Sequence, residues 1–207
     1  MPFHPCFISF RHFDSELSER FVRQFEQCLS AELEPLTGKK PFIDFLRMQP
    51  GYSLNASVAA AVCQSTCMIV IWSPQYFSED HLWCTREFTA MLALENARLQ
   101  LLPPNERNKK LIIPVIFRGS KHYPFNLSDT LYLNFEKFSH SKKQMSRNER
   151  FSEEIRKLAE YIHERIIAFE NSNVAPWGDC DKFALPDVDE ARTYIKNNLR
   201  SNSFPLR

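Results

Sequence analysis

Ile69-Val-Ile-Trp-Ser-Pro-Gln-Tyr-Phe-Ser-Glu-Asp-His-Leu-Trp-Cys-Thr-Arg-Glu87 is the stretch from which the fold is read. Cys67 to Trp72 is an apolar, largely β-branched run without polar alternation, the pattern of a strand buried on both faces of a parallel sheet. Ser73-Pro74 ends it. The chain then resumes as a helix, for which Ser78 and Asp80 are both candidate N-caps, since a side-chain oxygen there accepts backbone N–H groups left free in the first turn. On that helix Trp83 and Glu87 lie four residues apart and share a face. Ligands of open α/β sheets sit in the groove outside the carboxyl ends of the strands. This strand end therefore delivers an indole and a carboxylate there. Without further context the pair reads as a partly buried aromatic and a solvated helix glutamate.

Upstream, Cys6 to Phe10 is a second unalternating strand, followed by the polar turn Arg11 to Ser15. Leu17, Phe21, Phe25, Cys28, Leu29 and Leu33 recur at helical spacing, giving a core-facing stripe that Pro35 to Gly38 closes. Pro41 to Phe45 reads as a short strand. Leu46 to Gly51, with Pro50 and Gly51 fixing a bend, joins it to a helix carrying Leu54, Val58, Ala61 and Val62.

Downstream, the central helix continues through Phe88, Met91, Leu92 and Glu95 until Pro103-Pro104-Asn105. Leu111 to Phe117 is a further buried strand in which Pro114 lacks a ladder donor, so the strand nears an edge or bulges. Arg118 to Asp129 reads as loop and Thr130 to Phe135 as the fifth strand. A basic loop with Lys137, Lys142, Lys143, Arg147 and Arg150 leads to a capping box at Ser146 to Glu149, and the helix after it presents Phe151, Ile155, Leu158, Ile162, Ile166 and Phe169. The domain so delimited spans 1–170. Residues 171–207 form a connector and a short helix with Val188, Ala191, Ile195 and Leu199, started by Asp187 to Glu190. Such a helix is too short to stand alone in water and must pack on the domain or on another chain, with Trp177 and Phe183 as candidate anchors.

The 207 residues suit one domain with an appendage, and 18 Phe supply a substantial core. A net charge of +1 announces no nucleic-acid or acidic-membrane partner, and the basic loop lacks the interleaved aromatics of a base-stacking surface. With no membrane-length apolar run and no basic-then-apolar start, the chain is expected to be soluble and cytoplasmic. The six cysteines show no zinc spacing and are expected to be buried free thiols, so no metal is expected; Cys84 as a nucleophile lacks a visible base. With only 4 Gly, no glycine-rich phosphate turn follows the first strand, which disfavours a dehydrogenase.

The segment Trp72-Ser73-Pro74-Gln-Tyr76-Phe-Ser78, then Trp83-Cys84-Thr-Arg-Glu87-Phe88, resembles the strand-to-helix signature of TIR domains. So do Phe7-Ile-Ser-Phe10-Arg11 and, after a helix, Phe42-Ile43-Asp44 with Gly51. The resemblance covers about residues 3–169. It implies a flavodoxin-like fold, a five-stranded parallel sheet in order 2-1-3-4-5 with helices on both faces. By position the catalytic glutamate of the NAD-cleaving members falls on Glu87. Trp83 then becomes a stacking platform, and Phe10, Arg11, Phe45, Arg47 and Ser73 border the same groove. Arg47 could meet a phosphate bidentately or be a solvated charge.

On this resemblance NAD is substrate rather than cofactor, and no cofactor is expected. The products are nicotinamide with ADP-ribose, a cyclic ADP-ribose isomer or an exchanged base, none of which any residue singles out. The resemblance further implies a homo-oligomer in which the 46–51 loop completes a neighbour's pocket, an activator of unknown identity, and a role in prokaryotic antiviral immunity. A non-catalytic TIR adaptor and a nucleoside N-glycosidase or ribosyltransferase are the alternatives.

Overall fold

The computed structural model describes residues 4–12, 15–43, 54–124, 131–139, 144–172 and 180–199. Four strands, β1 (His4–Phe10), β2 (Ser65–Trp72), β3 (Ile112–Ile116) and β4 (Leu133–Asn134), form one all-parallel sheet in that spatial order. The expected second strand is reduced to a single parallel bridge. Phe42 pairs beside Phe7, its N–H donating to the Cys6 carbonyl and its carbonyl accepting from Ile8 N–H. Counting that bridge, the order is the expected 2-1-3-4-5, but only four segments are strands among the described residues, because residues 44–53 lie outside them.

Every residue of β2 is buried, as an unalternating run between two helical layers requires. Helices α1 (Glu16–Thr37) and α5 (Glu149–Asn171) pack together on one face; α2 (Leu54–Cys63) and α3 (Trp83–Leu101) cover the other, and α4 (Glu136–Ser139) is a single turn. Helix α1 runs past Pro35 and ends where Gly38 adopts φ 66° and returns its N–H to the Glu34 carbonyl. Pro114 sits at an alternate β3 position from Phe117, whose N–H bonds β2. Its donorless nitrogen therefore faces the β4 side, where pairing begins only at Val115.

Three local expectations are corrected. Helix α3 starts from Leu82, not from Ser78 or Asp80; the Ser78 hydroxyl instead accepts from Asp80 N–H within the preceding turn. The cap of α5 is Asn148, whose side chain accepts from Phe151 N–H, while Ser146 lies in a 3-10 turn before it. Cys63 and Cys180 are not free thiols. They are joined as a disulfide across 117 residues, because the C-terminal extension folds back onto the end of α2. Cys6, Cys67 and Cys84 are buried and form no disulfide.

That extension carries α6 (Val188–Asn198), opened by the expected capping box between Asp187 and Glu190. The helix packs on the domain through Ala191 and Ile195 against Leu82, and Phe183 lies partly buried against the main core. Trp177 is outside the described residues.

The far end of α3 fastens the sheet. Arg98 donates to the carbonyls of Ser65 and Cys63, and Glu95 Oε2 accepts the N–H groups of Leu111 and Ile112, so buried charges anchor the starts of β2 and β3. This fixes the opposite end of α3 at the carboxyl edge of the sheet.

Candidate active site

Glu87 is buried, at 6% exposure, in the second turn of α3. Ser9, on β1, donates its hydroxyl to Glu87 Oε2 at 2.6 Å, and Ser9 Oγ itself lies 2.6 Å from the Tyr76 hydroxyl. A serine has one proton to give. With that proton on Glu87, the phenol donates to Ser9, and the chain runs from Tyr76 through Ser9 to the carboxylate. Burial first, then the neighbouring Cys84 and Glu87, push the Tyr76 phenol well above its ordinary value, so it stays a donor.

The loops after β2 and β3 build one wall. Gly119, at φ 76°, approaches Pro74 so closely that a Cβ would stand 2.4 Å from Pro74 Cγ. Glu136 accepts the N–H groups of Gly119 and Ser120 and holds the turn there, and Tyr123 sets its ring edge-to-face against Trp72 at 5.3 Å. Among the described residues, the buried Ser73 hydroxyl and Trp72 indole N–H have no hydrogen-bond partner, which leaves polar valences unspent at the end of β2.

Trp83 is half-buried one turn before Glu87, with the Arg86 guanidinium 4.9 Å over its ring. Arg11 donates to the Gln75 carbonyl at 2.9 Å and so ties the end of β1 to the loop after β2. The structure thus gathers Arg11, Ser73, Trp83 and Glu87 around the carboxyl ends of β1 and β2. Phe10 alternates with Ser9 and projects from the opposite face of the strand, its ring 4.5 Å from His12. Phe45 and Arg47 lie outside the described residues.

Sequence reading did not single out Ser9, and it named Tyr76 only within the TIR-like signature, with no role. The signal was there for Ser9, the lone hydroxyl inside the apolar run Cys6 to Phe10; Tyr76 offered none beyond its place after Ser73-Pro74. Among the described residues no three His, Cys, Asp or Glu side chains cluster as a metal site, and no helix is long and apolar enough to cross a membrane.

No curated protein matches the chain. Among solved structures it is similar to the TIR domain of the Toll-related receptor TRR-2 from Hydra magnipapillata, at 20% identity and a TM-score of 0.43, over 65% of this chain and 86% of that one. The family profile described as TIR domain matches residues 6–149, more than two thirds of the length and both halves of the site just described. The chain belongs to the TIR domain family, with a parallel sheet flanked by helices.

Proposed function

We propose that the protein cleaves the nicotinamide–ribose bond of NAD, with Glu87 as the catalytic residue. The observation that carries this reading is a carboxylate, buried at the carboxyl edge of the sheet and oriented by Ser9 and Tyr76, one helical turn from Trp83. Nicotinamide on ribose is a cationic pyridinium and leaves without a general acid, so a single carboxylate serves where glycosidases acting on ordinary sugars need two. Glu87 binds the ribose hydroxyls and faces the positive charge that grows on the sugar as the bond lengthens. At about 4 Å and an effective dielectric near 20 this is worth about 4 kcal/mol, or roughly a thousandfold in rate. Trp83 packs on the flat base. Capture of the cation by water gives ADP-ribose; capture by the substrate's own adenine or ribose gives a cyclic isomer. The 46–51 loop of a second copy completes the pocket, and the reaction supplies a signal or depletes NAD in antiviral defence.

A non-catalytic association module is the second reading. The depth of Glu87 favours it, since a carboxylate locked between β1 and α3 also pins the fold. Incubation of the purified chain with NAD and with nucleosides, resolved by mass, separates the readings. Nicotinamide release by the wild type and not by Glu87→Ala supports the proposal. Release from Glu87→Ala at the wild-type rate overturns the assignment, and base release from nucleosides alone assigns the N-glycosidase.

A further inference from the structure

The C-terminal extension, which the family match does not reach, closes on the turn of α3 that bears Glu87. Its first described residue, Cys180, is bonded to Cys63 at the end of α2, two residues before β2 begins. Its helix α6 buries Ala191 and Ile195 against Leu82, the residue that opens α3 at the other end of the sheet. Tyr194 meets Phe77 and Phe88 at ring distances of 6.4 and 5.9 Å. Residues 183–187, without helix or strand, run between these points. Cys180–Lys182 is a 3-10 turn, so the distance to Asp187 is covered by the irregular residues 183–187. The extension is thus a strap stretched along α2 and α3 and fixed at both ends.

Where the strap passes α3 it takes hold of one side chain. Arg86 gives its Nε–H to the Pro186 carbonyl at 2.6 Å, and its guanidinium lies over the Trp83 ring. An arginine on an exposed helix turn samples many rotamers; one whose Nε is committed to a fixed carbonyl does not. The indole beneath it, one turn from Glu87, is held in turn.

We infer that residues 180–199 act as a clasp on the site, with Arg86 as a positioning residue that transmits the clasp to Trp83. The Cys63–Cys180 bond is its latch. A dithiol reductant opens the latch by thiol exchange, its two thiols becoming a disulfide while Cys63 and Cys180 each gain a hydrogen; α6 is then held without the covalent tie, by the packing of Ala191, Tyr194 and Ile195, and loosens. Where the site cleaves NAD, the consequence is a redox-dependent turnover; this last step rests on the function proposed above.

The test reads hydrogen–deuterium exchange on the whole chain, oxidised, treated with dithiothreitol, and as the Cys180→Ser, Arg86→Ala, Arg86→Lys and Ile195→Glu variants, beside nicotinamide release. The expected result is that amides of 83–88 and 188–198 exchange at least about threefold faster on reduction and in Cys180→Ser and Ile195→Glu, while those of β3 and α5 are unchanged. Arg86→Ala speeds 83–88, lowers kcat about tenfold and leaves KM within about twofold, and Arg86→Lys, which keeps the cation but not the Nε donor, fails to restore kcat. Unchanged exchange at 83–88 in Arg86→Ala, or after undocking of α6 in Ile195→Glu, overturns the clasp. Exchange needs no substrate, so a wild type that never releases nicotinamide ends the proposed function and leaves the clasp to be decided by exchange.

Discussion

Ser9 Oγ lies 2.6 Å from Oε2 of Glu87, across 78 residues of sequence, and joins the first strand to the central helix. Ser9→Ala removes the one hydroxyl between two buried groups, leaving the Tyr76 phenol without its acceptor and Glu87 without this donor. An unmet buried polar group costs about 1–3 kcal/mol. In a chain of this size that lowers the melting temperature by roughly 3–10 °C. Ser9→Ala and Tyr76→Phe act on one network, so the double variant is expected to lose clearly less stability than the sum of the singles. Differential scanning calorimetry of the four proteins gives the cycle, and strict additivity contradicts the relay.

Glu87→Gln keeps the shape of the side chain and an oxygen that can accept from Ser9. The expected change in stability is within about 1 kcal/mol. The full charge facing the ribosyl cation is gone, so nicotinamide release falls about a thousandfold, by the Coulomb argument above. Paired calorimetry and product assay check both halves. A variant that unfolds easily yet retains its rate reverses the assignment of Glu87 from chemistry to packing.

The cysteines supply a count. Denatured without reduction, the protein is expected to show four titratable thiols, and six after reduction, because Cys63 and Cys180 are paired. In the native protein Cys28, half-buried, reacts first. Cys67 reacts last, since burial above all pushes its thiol up to about 12 and the thiolate is the nucleophile. Mass-resolved alkylation at pH 8 ranks them. Six thiols without reduction would dissolve the latch.

The parallel sheet was legible because β1, β2 and β3 are buried on both faces and carry largely apolar runs, whereas Glu87 was singled out only through the TIR resemblance, its residue pattern alone reading as a solvated helix glutamate. What escaped reading was polar and long-range. Arg98 and Glu95 look like surface charges, yet they are buried and bonded to backbone at the starts of β2 and β3. No local pattern distinguishes a charge that will meet a carbonyl thirty residues away from one that will meet water. Ser9 is similar, since its partner is supplied by the sheet crossover. The disulfide was missed for the same reason: Cys63 and Cys180 have no motif spacing, and only the strap along α2 and α3 brings them together.

Tyr194 gives the strap a signature in alkali. Burial pushes its phenol up to about 12 from an ordinary 10, and it neighbours Tyr123, whose phenol is raised by burial first and by Tyr194 next. Below pH 10 the phenol is neutral whether α6 is docked or not, so its contribution to docking is intact. As pH climbs from 10 through 12 the undocked form ionises first, and stability drains toward the undocked state. Tyr194→Phe has no proton to lose. Its melting temperature is therefore expected to fall less between pH 9 and pH 11 than that of the wild type, and its tyrosinate absorbance at 295 nm to lack one step near pH 12. Because Tyr76 and Tyr161 are also raised by burial, the domain as a whole weakens in the same range in both proteins, and only the difference between them reports on α6. Identical alkaline melting curves for the two proteins would mean that Tyr194 does not pack on Phe77 and Phe88 in solution.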